Sequence, residues 1–208
     1  AGASLAQFGA LEAAGLDPLL RRLCLRWAVA SRGLVPCRPG IPGPAAAAAD
    51  SGGCHYRPAE DEVRSEGEGA ICWASTKRPE RAVEKTVRSY GLDPSLLVDL
   101  CRQSLVFETP ATLCDGLAAI LADPDVEVLR VKNRMDPAAE HGGVEEEAVA
   151  ATGYRDVGVN LRVTSAEARE RGVDGHVAEV RLLLLSFACV RNDQGHARYV
   201  SWRNGRGE

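Results

Sequence analysis

The sequence predicts an α+β domain built on one mixed β-sheet flanked by helices, and three stretches carry that prediction. Residues Asp156 to Val163 alternate strictly. Val157, Val159, Leu161 and Val163 face one way, and Asp156, Gly158, Asn160 and Arg162 the other, which is the period of a half-buried strand. Leu100 to Phe107 is rich in apolar residues and runs into Thr109-Pro110, an N-cap followed by the proline that suits a first helical turn. His176 to Leu185 ends in four consecutive leucines, the composition of a strand buried on both faces. Strands separated by helical and loop segments give an α+β domain.

The remaining elements follow in chain order. Asp17-Pro18 has the form of a helix start, after which Leu19, Leu20, Leu23 and Trp27 recur at helical spacing between Arg21, Arg22 and Arg26. Gly33 is a suitable stop. The Pro/Gly/Ala-rich run that follows reads as an extended connector. This divides the chain into a helical arm (1–35), a linker (36–53) and a main domain (54–208). Leu19, Leu23 and Trp27 are then expected to dock on a partner subunit. Pro79 to Ser89 is a charged helix, and the helix after Thr109 puts Leu113, Leu117, Ile120 and Leu121 on one face before Pro124. Val126, Val128 and Val131 suggest a strand, 133–152 a loop, and Phe187 to Trp202 a closing helix broken near Gly195.

Composition narrows the function. The 208 residues carry 25 Lys plus Arg against 29 Asp plus Glu, a net charge of −4. Nucleic-acid binding rests largely on phosphate neutralisation, so no nucleic-acid partner is expected. The apolar runs are too short for a transmembrane segment. Cys24, Cys37, Cys54, Cys72, Cys101, Cys114 and Cys189 are spread without a C-x-x-C pair, which argues for reduced thiols in an intracellular compartment. A chain opening at Ala1 fits removal of a targeting peptide, so a plastid or mitochondrion is among the expected locations.

Two carboxylates stand in unusual places: Asp99 at the mouth of the first strand and Glu179 inside the last, between Ala178 and Val180. A charged strand residue is costly to bury unless it is paired or faces a cleft. Around these positions the sequence resembles the RelA/SpoT alarmone synthetase domain. Val98 to Thr109 is similar to that family's D-L-x-x-x-R strand, Gly153-Tyr154-Arg155-Asp156-Val157 to its G-Y motif, and Ala178 to Leu182 to its E-[VI]-Q-I-R-T strand. Lys77 to Arg88 falls at the spacing of its basic segment. The tracts Val128 to Arg134, Thr152 to Leu161 and Gly175 to Leu182 look most like stand-alone relatives in algae and other protists.

The resemblance implies a nucleotidyltransferase-like fold and transfer of pyrophosphate from ATP to GDP or GTP. It would make Asp99 and Glu179 the Mg²⁺ ligands and catalytic pair of an active enzyme. Tyr154, Arg78, Lys85 and Lys132 would hold the nucleotide, with Tyr154 stacked on guanine. The departures point the other way. Ungapped alignment offers Thr76, Arg78, Ala82 and Thr86 where the family has Arg, Lys, Ser and Lys. The strand arginine becomes Ser104, the histidine after the G-Y motif becomes Gly158, and the residues after the catalytic Glu become Arg181 and Leu183. Phosphoryl transfer depends on positioned positive charge. The expectation is therefore a catalytically degraded domain, needing no Mg²⁺, that serves as a non-catalytic binding or structural subunit of a larger protein assembly. An active transferase and a guanine-nucleotide sensor are the alternatives.

Overall fold

The computed structural model describes residues 2–37, 55–64, 71–136 and 155–190. The expected linker beyond residue 37, most of the 133–152 loop, Tyr154 and the segment after Val190 lie outside the described residues. In chain order the elements are α1 (Gly2–Ala30), β1 (Leu34–Cys37), β2 (His55–Pro58), α2 (Ala59–Arg64), α3 (Pro79–Ser89), β3 (Cys101–Phe107), α4 (Pro110–Leu121), β4 (Val126–Asn133), β5 (Val157–Val163), α5 (Ala166–Glu170), β6 (Val177–Leu184) and α6 (Leu185–Val190). The six described strands form one sheet in the order β2-β1-β3-β6-β5-β4. β3 and β6 run parallel, and the other pairs are antiparallel. This is the mixed α+β sheet that the alternation and the apolar runs predict.

α1 is where the structure departs most from expectation. The helix does not begin at Asp17-Pro18 but passes through Pro18. A mid-helix proline costs about 3 kcal/mol, so packing must outweigh it. That packing is internal. Leu16, Leu19, Leu20, Leu23, Cys24, Trp27 and Ala28 are buried in one cluster with Cys101, Leu105 and Phe107 of β3 and Val180 and Leu182 of β6. Leu19, Leu23 and Trp27 therefore do not form a partner-docking face, and the arm is not separate from the domain. The proline-rich run from Pro36 does not tether an arm: it connects β1 to its antiparallel neighbour β2.

Polar contacts fasten α1 in place. Asp17 accepts from Gln103 Nε2 at 2.8 Å and pairs with Arg21 at 2.5 Å instead of capping a helix. Trp27 Nε1 donates to Asp123 at 2.7 Å, and Arg26 reaches both Asp123 and Asp125. The helix ends in a Schellman arrangement, with Gly33 N–H donating to the Ala28 carbonyl and Arg32 taking the left-handed conformation at φ 57°. Gly33 suits close packing, since a Cβ there would crowd Ala28 and Phe107 at 3.1–3.2 Å.

α3 has the bounds read from the sequence, and α4 starts at Thr109-Pro110 with a capping box between Thr109 and Thr112. The face α4 buries is Leu113, Gly116 and Ile120, whereas Leu121, expected on it, is 57% exposed. Gly116 lets α4 approach β3. A Cβ there would lie 2.5 Å from Phe107 Cζ. Gly116→Ala should destabilise by about 1–2 kcal/mol, overpacking outweighing the gain in helix propensity, as urea denaturation would measure.

Candidate functional site

The sheet has two chemically different faces. Cys101, Leu105, Val157, Val159, Leu161, Val180 and Leu182 pack in the core with α1 and α4. By alternation the opposite face carries Arg102 and Ser104 of β3, Gly158 and Asn160 of β5, and Glu179 and Arg181 of β6. At its far end Val106 and Leu183 pack against Leu34, Tyr56 and Ala188, so α6 covers that end. Strand register arranges the polar positions in rows. Arg102 is opposite Glu179, which is opposite Asn160, itself opposite Arg130. Ser104 is opposite Arg181, then Gly158, then Lys132.

Ion pairs join this face. Arg181 Nη2 meets Glu179 Oε2 at 2.9 Å and its Nε lies 3.9 Å from Asp156 Oδ2. Asp156 is fully buried and pairs with Arg134 Nη1 at 2.7 Å. Arg134 lies over Gly158, where a Cβ would stand 3.0 Å from its Nη1. The small residue at 158 thus makes room for a guanidinium. Glu179, 8% exposed, is held by Arg181, two residues further along the same strand.

Asp99 belongs to another group of charges. It sits in the turn before β3 and accepts from Lys77 Nζ at 2.5 Å and Lys85 Nζ at 3.2 Å, both on the same oxygen. Burial alone would raise its carboxyl pKa, but the Lys85 and Lys77 charges outweigh burial and hold it below the ordinary value. Burial lowers Lys77, incompletely opposed by Asp99, and the neighbouring charges of Lys85 and Arg102 lower it further. A carboxyl depressed on folding contributes stability above its unfolded pKa and loses it as pH falls through the folded value. Stability should therefore fall as the pH drops below the ordinary aspartate pKa of about 4, with a shallower fall in Asp99→Asn, as denaturant midpoints measured over acid pH would report.

Mg²⁺ does not fit these residues. Asp99 Oδ1 is buried without a hydrogen-bond partner, as a ligand oxygen would be. Its other oxygen, however, already carries two ammonium groups, whose charge opposes a divalent ion. Glu179 is engaged by a guanidinium. Among the described residues no group of three or more His, Cys, Asp or Glu could hold a metal.

Of the residues singled out from the sequence, Lys85 joins Asp99, while Lys132 and Glu179 share the polar face. Arg78 is exposed at the start of α3 and makes no side-chain cap bond. Arg102, Arg134, Asp156 and Lys77 complete these groups without having been named as site residues. Lys77, at the start of the basic segment, and Asp156, on the polar side of the β5 alternation, each carried a sequence signal.

No protein-family model and no curated protein sequence matches this chain. Solved structures similar to this chain include two at low sequence identity. One is smu.1046c from Streptococcus mutans UA159, with a TM-score of 0.37, 16% identity, and coverage of 54% of this chain and 51% of that one. The other is the complex between the Type VI effector Tas1 and its immunity protein, with a TM-score of 0.47, 17% identity, and coverage of 94% and 73%. The chain thus spans about half the length of the first. Among the described residues no helix is long and apolar enough to cross a membrane.

Proposed function

We propose that this chain is a RelA/SpoT-like domain that binds a guanine nucleotide on the polar sheet face and does not transfer pyrophosphate. One observation carries the reading: Arg102, Arg130, Lys132, Arg134 and Arg181 gather around two carboxylates that are themselves neutralised, Glu179 by Arg181 and Asp156 by Arg134. Such a face favours a polyphosphate, since charge-assisted bonds from guanidinium to phosphate are among the stronger ones. Among the described residues Arg102 makes no ion pair, which leaves its donors for a ligand. The structural-subunit role loses its basis with the burial of α1. The binding role does not depend on it.

Labelled ATP with GDP and Mg²⁺ should give no transfer product, while GDP should bind, with affinity about tenfold lower in Arg102→Gln. Absence of GDP binding would reject the reading. The unpartnered Asp99 Oδ1 favours the alternative of an active transferase. Product that vanishes in Glu179→Gln would establish that alternative.

A further inference from the structure

Beside the charged rows, the polar face contains a cleft. Its volume is about 130 Å³, and Tyr56, Cys72, Trp73, Ser104, Val106 and Leu183 are among its lining residues. That is less than the roughly 300–1,000 Å³ of a pocket for a whole small ligand, so the cleft takes a fragment such as a single ring. β1 pairs with β3 through Leu34 and Val106, while the next stretch of β1 pairs instead with the segment at Ile71, so the cleft sits where those two pairings part. Tyr56 packs on this face with Val106 and Leu183, while Trp73 packs toward the α1 core, with Arg21 5.9 Å from its ring centroid. Ser104 supplies a polar group, and its hydroxyl has no hydrogen-bond partner among the described residues. Two guanidiniums border this position: Arg102 is two residues before Ser104 on the same face, and Arg181 is opposite Ser104 in register.

We propose that this cleft is a ring-binding subsite, taking a planar heteroaromatic ring whose anionic group meets Arg102 at the rim. The Tyr56 ring and a lone hydroxyl suit a flat, partly polar ring, and the adjacent cations suit a phosphate joined to it. A nucleotide has that chemistry, so the inference rests on the nucleotide-binding reading and adds where the base sits. It also supplies a role for Tyr56 and Ser104 that no motif indicated.

Cys72 and Cys114 provide the test. Both thiols are exposed, Cys72 in the cleft and Cys114 on α4 against the other face of the sheet. The full chain is alkylated with iodoacetamide while GDP, guanosine or inorganic pyrophosphate is present, and each site is followed by mass spectrometry. Calorimetry records binding in parallel. GDP at about ten times its Kd should slow Cys72 by about tenfold, the fraction of protein left free, with Cys114 unchanged. Guanosine should protect Cys72 at higher concentration, and pyrophosphate should not protect it. GDP binding with Cys72 reacting as before would overturn the subsite and leave nucleotide binding standing. No GDP binding at all would overturn both. Ser104→Phe, which fills the cleft, should weaken GDP about tenfold and spare pyrophosphate. Equal weakening of the two would also reject the subsite. If that variant fails to fold, Cys72 protection in the unaltered chain decides.

Discussion

A chain lacking residues 1–33 should fail to fold. Leu16, Leu19, Leu20, Leu23 and Trp27 are each no more than 7% exposed, and all belong to the main core cluster. Full burial of one such side chain is worth about 1.5–3 kcal/mol, so together they contribute on the order of 10 kcal/mol. A whole domain is stable by about 5–15 kcal/mol. Without α1 the apolar face of β3, β5 and β6 would meet water, and Gln103 would lose its bond to Asp17. Circular dichroism of the truncated protein should show no cooperative melt. A truncated chain that melts cooperatively would show that α1 is dispensable after all.

Arg57→Ala should destabilise the folded chain by about 3–5 kcal/mol, the usual cost of stranding one partner of a buried ion pair. Arg57 Nη1 lies 2.7 Å from Glu62 Oε1, with the two side chains 9% and 1% exposed. Burial pushes the nearby Cys37 thiol up to about 12, and the Glu62 charge adds to that rise. Replacing both partners at once, Arg57→Met with Glu62→Leu, should come within about 1–2 kcal/mol of the parent, because no charge is left unpaired. Urea denaturation of the single and double variants measures the difference. An Arg57→Ala variant as stable as the parent would show that Glu62 finds other compensation.

The parts of the fold legible in the sequence are those whose signal is local. The β5 alternation, the Thr109-Pro110 start and the apolar β6 each depend on neighbours within a few residues, and each is found where expected. β1 and β2 were not legible: each has four residues and contains a proline, too short for a period and discouraging to strand assignment. α1 was misread because Asp17-Pro18 has the local form of a helix start, whereas its outcome is decided by tertiary burial. Glu179 stood out as a charge within an apolar strand. Its environment did not, because the Arg134–Asp156 pair spans 22 residues and the Ser104–Arg181 pairing arises only from sheet register. No spacing rule encodes either. Gly158 is the instructive case, since a glycine in mid-strand reads as a gap until Arg134 is seen lying over it.

Calorimetric titration of GDP into the full chain, first in EDTA and then with Mg²⁺, tests most directly whether the polar face binds phosphate through its cations alone. Saturable binding in EDTA is expected, with Mg²⁺ weakening it by no more than about threefold, because the metal reduces the charge on the diphosphate that the guanidiniums meet. Binding that appears only with Mg²⁺, or tightens sharply on adding it, would contradict this and place a metal between the nucleotide and the Asp99 or Glu179 carboxylates.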